Sequence, residues 1–175
     1  MYFFCVILYY YGRCAINKKQ RIQYGSDNFT NFVIPILKKY GYNGVWEDHQ
    51  NTWLDMACGI DYSVNGTTIA ARVWRSPPKP HYSIRMYNIS APHIPLEYDR
   101  MLYRYNHGLA LSDITVEAFI WEGTTTIGIT PTRRIFAYLQ NARHLDKFQI
   151  KTDRSFTVFC RVPFAAVAPV CLLRV

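Results

Sequence analysis

The sequence predicts an α+β domain, α/β-like in places, with a central mixed β-sheet flanked by helices, and three observations lead there. Two pairs of strand-like segments are each joined by a two-residue turn signal: Asn65-Gly66 joins 59–64 to 67–75, and Glu122-Gly123 joins 113–121 to 124–130. Helical periodicity appears in stretches that alternate with these segments, most clearly at Phe29, Phe32, Val33, Ile36, Leu37 and Tyr40. At 175 residues and 50% hydrophobic, the chain suffices for one good core, so 1–175 is read as a single domain.

The elements follow in order. Tyr2 to Tyr11 is almost continuously apolar and aromatic, too short to span a bilayer, and no basic residue precedes it. Residues 1–12 are therefore read as a buried strand, or else as an arm that packs on a second copy to give a homodimer; left exposed, such a run would aggregate. Ser26 or Asp27 caps the first helix and Gly41 closes it, with a kink expected at Pro35, which lacks an N–H and crowds the preceding turn. Residues 45–55 form an irregular polar and aromatic connection. The strands 59–64, 67–75 and 81–88 read as an antiparallel meander, with Pro77, Pro78 and Pro80 forcing the second connection out of the sheet. Residues 95–106 form a short helix, with Glu97 and Arg100 paired at i,i+3 and a stop near Gly108. After the second hairpin, Thr130 caps a helix with Pro131 in its first turn and Ile135, Phe136 and Leu139 inward. Residues 148–150, 156–162 and 170–175 supply further short strands.

Twenty Lys and Arg against twelve Asp and Glu leave a net charge of +8, which favours an anionic partner, and nucleic acid suits a basic domain of this size. The cations are interleaved with aromatics. Arg75, Arg85, Arg100, Arg104, Arg133 and Arg134 are candidate phosphate contacts and Trp74 a candidate stacking surface, although an ordinary solvated basic surface has the same composition. Arg133 and Arg134 fall in a helix first turn, where a cation opposes the helix dipole and a nearby anion would relieve it. Five cysteines, odd in number and with no C-x-x-C spacing, suggest reduced thiols in a cytoplasmic setting, and the five histidines lack metal-site spacing. No Walker loop, G-x-G-x-x-G, G-x-S-x-G or H-E-x-x-H pattern is present.

The first hairpin puts Asp61 and Arg72 on facing strands. A carboxylate and a cation so placed suit metal-dependent phosphodiester cleavage, and equally a cross-strand ion pair worth about 0.2–1 kcal/mol. The run Gly59-Ile60-Asp61-Tyr62, turn, Ile69-Ala70-Ala71-Arg72-Val73 resembles the PD-(D/E)XK nuclease superfamily over roughly residues 26–90. The resemblance implies a restriction-endonuclease-like core, DNA as substrate and Mg²⁺ as cofactor, with Asp61 as the first metal-binding acid and Arg72 at the position of the family's Lys. The chain departs from the pattern at Ala70, where the family has an acid or Gln, and Arg72 cannot exchange a proton with water as Lys does. The missing acid is sought in the 45–55 connection, at Glu47, Asp48 or Asp55; Asp61 and Glu47 are the candidate metal ligands, with Asp55 the alternative. The expectations are therefore a DNA endonuclease or resolvase-like enzyme, an inactive DNA-binding module on the same fold, or an interaction protein that dimerises through residues 1–12.

Overall fold

The computed structural model describes residues 23, 25–50, 52–91, 93–143, 150–152, 157–167 and 171–175. The expectations for residues 1–12 lie outside them. Among the described residues the architecture is α+β, with two sheets and helices against them. The larger sheet is mixed and has six strands: β1 (Trp46–Asp48), β2 (Tyr62–Val64), β3 (Thr67–Trp74), β5 (Ile114–Trp121), β6 (Thr124–Pro131) and β9 (Cys171–Arg174), in that spatial order. The pair β3·β5 is parallel and the other neighbours are antiparallel. The smaller sheet has the order β4 (His81–Asn88), β8 (Thr157–Pro163), β7 (Ile150–Thr152).

Both hairpins form as their turns dictate. Asn65 and Gly66 have φ of 49° and 78°, and Glu122 and Gly123 of 48° and 75°, so both central residues of each turn are left-handed, as a type I′ turn requires. The meander does not form. β4 leaves the first sheet and pairs with β8, because the far edge of β3 is taken by β5 and three prolines lie between β3 and β4.

The kink at Pro35 takes a defined form. A π-helical turn at Phe29–Val33 runs into α1 (Ile34–Lys39), whose second residue is Pro35. The helix is continuous from residue 25 to 39, so Pro35 forfeits a hydrogen bond back to the preceding turn, and the wider π turn just before it is where the helix absorbs that loss. Phe29, Val33, Ile36 and Leu37 pack on one face of the larger sheet against Tyr62, Val64, Ile69, Val116, Ile127 and Leu173. The opposite face packs on a second core: Phe119 meets Tyr82, Ile84, Cys160 and Val162 of the smaller sheet, Tyr98 and Met101 of α3 (Glu97–Asn106), and Ile135, Phe136 and Leu139 of α4 (Thr132–Arg143). Thr130 and Pro131 belong to β6, so α4 begins one residue later than expected. The short helix α2 (Trp53–Cys58) ends on Gly59, left-handed at φ 61°.

Candidate functional site

Asp61 owes its position to the place where β2 begins. Gly59 turns the chain out of α2, and Asp61 sits one residue before β2, its N–H donating to the Ile69 carbonyl and its carbonyl accepting from the His49 N–H, both at 2.9 Å. Its carboxylate Oδ2 accepts the Ala71 N–H at 2.7 Å, standing in for a strand carbonyl that β2 no longer supplies. Burial raises the Asp61 carboxyl to about 7; the Ala71 N–H and Arg72 oppose that rise, while the negative charges of Asp55 and Glu97 add to it.

Alternation along β3 puts Arg72 on the same face as Ala70, and the parallel register sets it beside Glu117 of β5. Arg72 Nη1 donates to the Ser83 carbonyl of β4 and Nη2 to Glu97 Oε2 of α3, so one guanidinium ties the larger sheet to the smaller sheet and to a helix. Burial works against its charge, but Glu97 and Glu117 outweigh it and raise the pKa above the ordinary arginine value. Glu117 is 1% exposed, accepts from the Trp74 indole Nε1 and is held by the Ser83 N–H. Burial raises it to about 7 against the pull of Arg72 and Trp74. Glu97 moves the other way: burial pushes its carboxyl up, but Arg72 and Arg85 hold it below the usual glutamate range. Arg85 Nε stands 3.7 Å from Glu97, and Arg72 beside it, with burial second, lowers the Arg85 pKa.

These groups share one pocket of about 120 Å³ between the larger sheet, α3 and β4, lined by Asp55, Asp61, Arg72, Arg85, Glu97, Arg100, Arg104 and Glu117. At its floor the hydroxyls of Ser112 and Thr115 each lie 2.9 Å from that of Thr132.

The pocket brings together six residues expected from the sequence: Asp55, Asp61, Arg72, Arg85, Arg100 and Arg104. Others lie elsewhere. Glu47 is outside the lining, exposed on β1, where it accepts from the Ser63 hydroxyl at 2.7 Å and stands 3.6 Å from His49. Asp48 accepts from Ser26 and from the Gln50 N–H. Arg75 donates to Asn28 at 3.3 Å, on the side of the first helical segment. Trp74 is half-buried and donates through its indole Nε1 to Glu117, with Lys79 Nζ 5.2 Å from its ring centroid, and Arg104, 7% exposed, donates through Nε and Nη2 to the Ala110 carbonyl and fastens the chain leaving α3. Arg133 and Arg134 are exposed on α4. The expected Glu97–Arg100 pair is replaced by Glu97 with Arg72 and Arg85, while Arg100 reaches the Asp55 carbonyl at 3.5 Å.

Sequence reasoning passed over Glu117 and did not place Glu97 in the site. Glu117 had a signal: it is the one carboxylate inside the β-branched and apolar run Ile114–Trp121. Glu97 had none, because its partner comes from a strand 25 residues earlier.

As metal donors, Asp61 and Asp55 line the same cavity with hard carboxylate oxygens, Asp61 with its Oδ2 accepting from the Ala71 N–H; Glu97 and Glu117 are engaged by Arg72, Trp74 and Ser83. Among the described residues no group of three or more His, Cys, Asp or Glu converges on one point. A divalent ion in this cavity would meet Asp61 and Asp55 as its carboxylate ligands and would need water or a substrate oxygen for the rest of its shell.

No protein-family model, curated protein or solved structure matched the chain. Among the described residues no helix is long and apolar enough to cross a membrane.

Proposed function

We propose that the chain is a Mg²⁺-dependent phosphodiesterase acting on DNA, built like a PD-(D/E)XK nuclease, with Asp61 as the metal-binding acid and Asp55 in the role first sought at Glu47. The observation that supports this reading is the pocket: Asp55, Asp61, Glu97 and Glu117 line it together with Arg72, Arg85, Arg100 and Arg104. Apolar packing of the same volume is usually no less stable than a buried ion network, and titratable groups shifted by burial and by each other concentrate at functional sites. The mutual crowding of Asp55, Asp61 and Glu97 is what a divalent cation would relieve.

Each residue has a role its position permits. Asp61, fixed by the Ala71 N–H, and Asp55 would hold the ion, which when bound supplies Lewis-acid polarisation and an acidified water. Arg72, held charged by Glu97 and Glu117, steadies negative charge developing on the phosphate but takes no proton. Arg85, 47% exposed at the rim, and Arg100 draw the backbone in.

Asp61→Asn is the test, since it keeps the acceptor for Ala71 and removes the charge. The parent is expected to cut DNA with Mg²⁺ and not in EDTA, and the variant to lose at least 10²-fold in rate while still binding DNA. Equal cleavage by both would refute the assignment.

A second reading, a cleavage-incompetent DNA-binding module on the same fold, is favoured by Ala70 at the acid position and by the engagement of Arg72 with Glu97 and Ser83. It predicts salt-sensitive binding without cleavage in any divalent ion.

A further inference from the structure

The Asp61 pocket does not end at its own walls. Leu111 and Ser112 line it and also line a second pocket, formed with Tyr105, Leu109, Asp113, Pro131 and Arg133. The two lie on either side of these shared residues, the first against α3 and the larger sheet, the second at the C-terminal end of α3 and the first turn of α4. Arg85 and Arg100 line the first and Arg133 the second. The one acid of the second pocket, Asp113, accepts hydrogen bonds from the Thr68 N–H and hydroxyl, both at 2.8 Å, which offsets part of its charge toward an incoming anion.

Tyr105 supplies the second observation. Its ring is backed by Phe136, with centroids 5.1 Å apart, yet the residue remains 58% exposed. An aromatic ring held by packing, exposed and lining a pocket is the arrangement on which unpaired bases stack, and such stacking is indifferent to sequence. Asp61, by contrast, lines a pocket of about 120 Å³, too small to take in a duplex. A single strand is free to bend one phosphate into such a pocket, whereas a stiff duplex has a persistence length of about 150 base pairs.

We infer that the nucleic acid enters as a single strand laid across these two neighbouring pockets, its backbone along Arg100 and Arg133 and a base on Tyr105. This rests on the nuclease reading for what happens at Asp61, but the strand path stands by itself as a binding site. A single-stranded segment at a duplex end or junction would engage in the same way, and an intact blunt duplex would not.

The test uses the full chain in EDTA, so that cleavage plays no part, with fluorescence anisotropy on a 20-nucleotide single strand and on the same sequence as a blunt duplex. The single strand is expected to bind at least tenfold more tightly. Tyr105→Ala should weaken single-strand binding roughly tenfold, Tyr105→Phe should restore it, and Arg133→Ala should lower the salt slope by nearly one counterion. Duplex bound as tightly as single strand, or Tyr105→Ala binding like the parent in a folded variant, overturns the proposal. Single-strand preference with no cleavage on adding Mg²⁺ keeps the strand path and removes the nuclease reading. Metal-dependent cutting of blunt duplex without single-strand preference does the reverse, and no binding of either probe overturns both.

Discussion

Asp61 and Glu117 are carboxyl groups that the fold accommodates more easily protonated than charged, and this sets a pH dependence. In the folded protein both are raised to about 7, from ordinary values of 3.8 and 4.5. A raised acid binds its proton more tightly folded than unfolded, so its contribution is largest below the unfolded value and is lost as pH climbs to the folded one. Glu97, held low, acts in the opposite sense, but only as pH falls below its ordinary 4.5. His81, lowered by burial and then by Arg161 and Lys79, favours higher pH below 6.5, one half-buried imidazole against two deeply buried carboxyls. Metal-free protein is therefore expected to lose stability between about pH 4.5 and 7 and to level off above, as read by urea denaturation in EDTA. Stability that rises steadily through that window would contradict the burial of these two groups. Asp61 and Arg72 were legible as a pair sharing a face, because a tight hairpin fixes cross-strand neighbours. That Glu117 stands beside Arg72 depends on a parallel pairing that no local signal announces.

The elements that the sequence specified best are those closed by two or three residues. Asn65-Gly66 and Glu122-Gly123 set both hairpins because their left-handed backbone is strained for most other residues. Gly66, at φ 78° and with no atom within 4 Å of a Cβ placed there, isolates that strain from packing. Gly66→Ala is expected to destabilise the domain by about 1–2 kcal/mol, measured by chemical denaturation, with little change in the m-value. A neutral substitution would mean that the turn relaxes without disturbing Asp61 and Arg72. The first helix shows the complementary lesson: periodicity located it, Pro35 signalled an irregularity, and the π turn at Phe29–Val33 is the form taken once the apolar side chains had to meet the sheet. β4 was recognised as a strand but assigned to the wrong sheet, since alternation identifies a strand and not its neighbour.

Across the whole molecule, the polar row of the larger sheet is enclosed because a second sheet and two helices cover that face. The ionic pocket thus lies between two apolar cores, and a cation bound there should stabilise the entire cooperative unit. Mg²⁺ at a hundred times its dissociation constant is expected to add about 2.7 kcal/mol, seen as a Tm several degrees higher at pH 8 than in EDTA. Asp61→Asn should abolish that increment while leaving the EDTA Tm equal to or above the parent's, since it removes a carboxylate that burial disfavours. An unchanged increment in the variant would mean that the ion binds elsewhere. The net charge of +8 belongs to this scale too: it argues for an anionic partner without saying which surface receives it.

By itself the sequence determined the α+β character, both hairpins, the places of three helices and the juxtaposition of Asp61 with Arg72. Each follows from interactions between residues near in the chain: turn chirality, side-chain period and capping. Only the tertiary structure decided that β5 lies parallel to β3, that β4 joins another sheet, that Glu97 and Glu117 hold Arg72, and that Trp74 donates to Glu117 and Arg104 to the Ala110 carbonyl while Glu47 stays outside. Those outcomes depend on which apolar faces bury one another, a choice made by the total burial of two cores and encoded in no single stretch of chain.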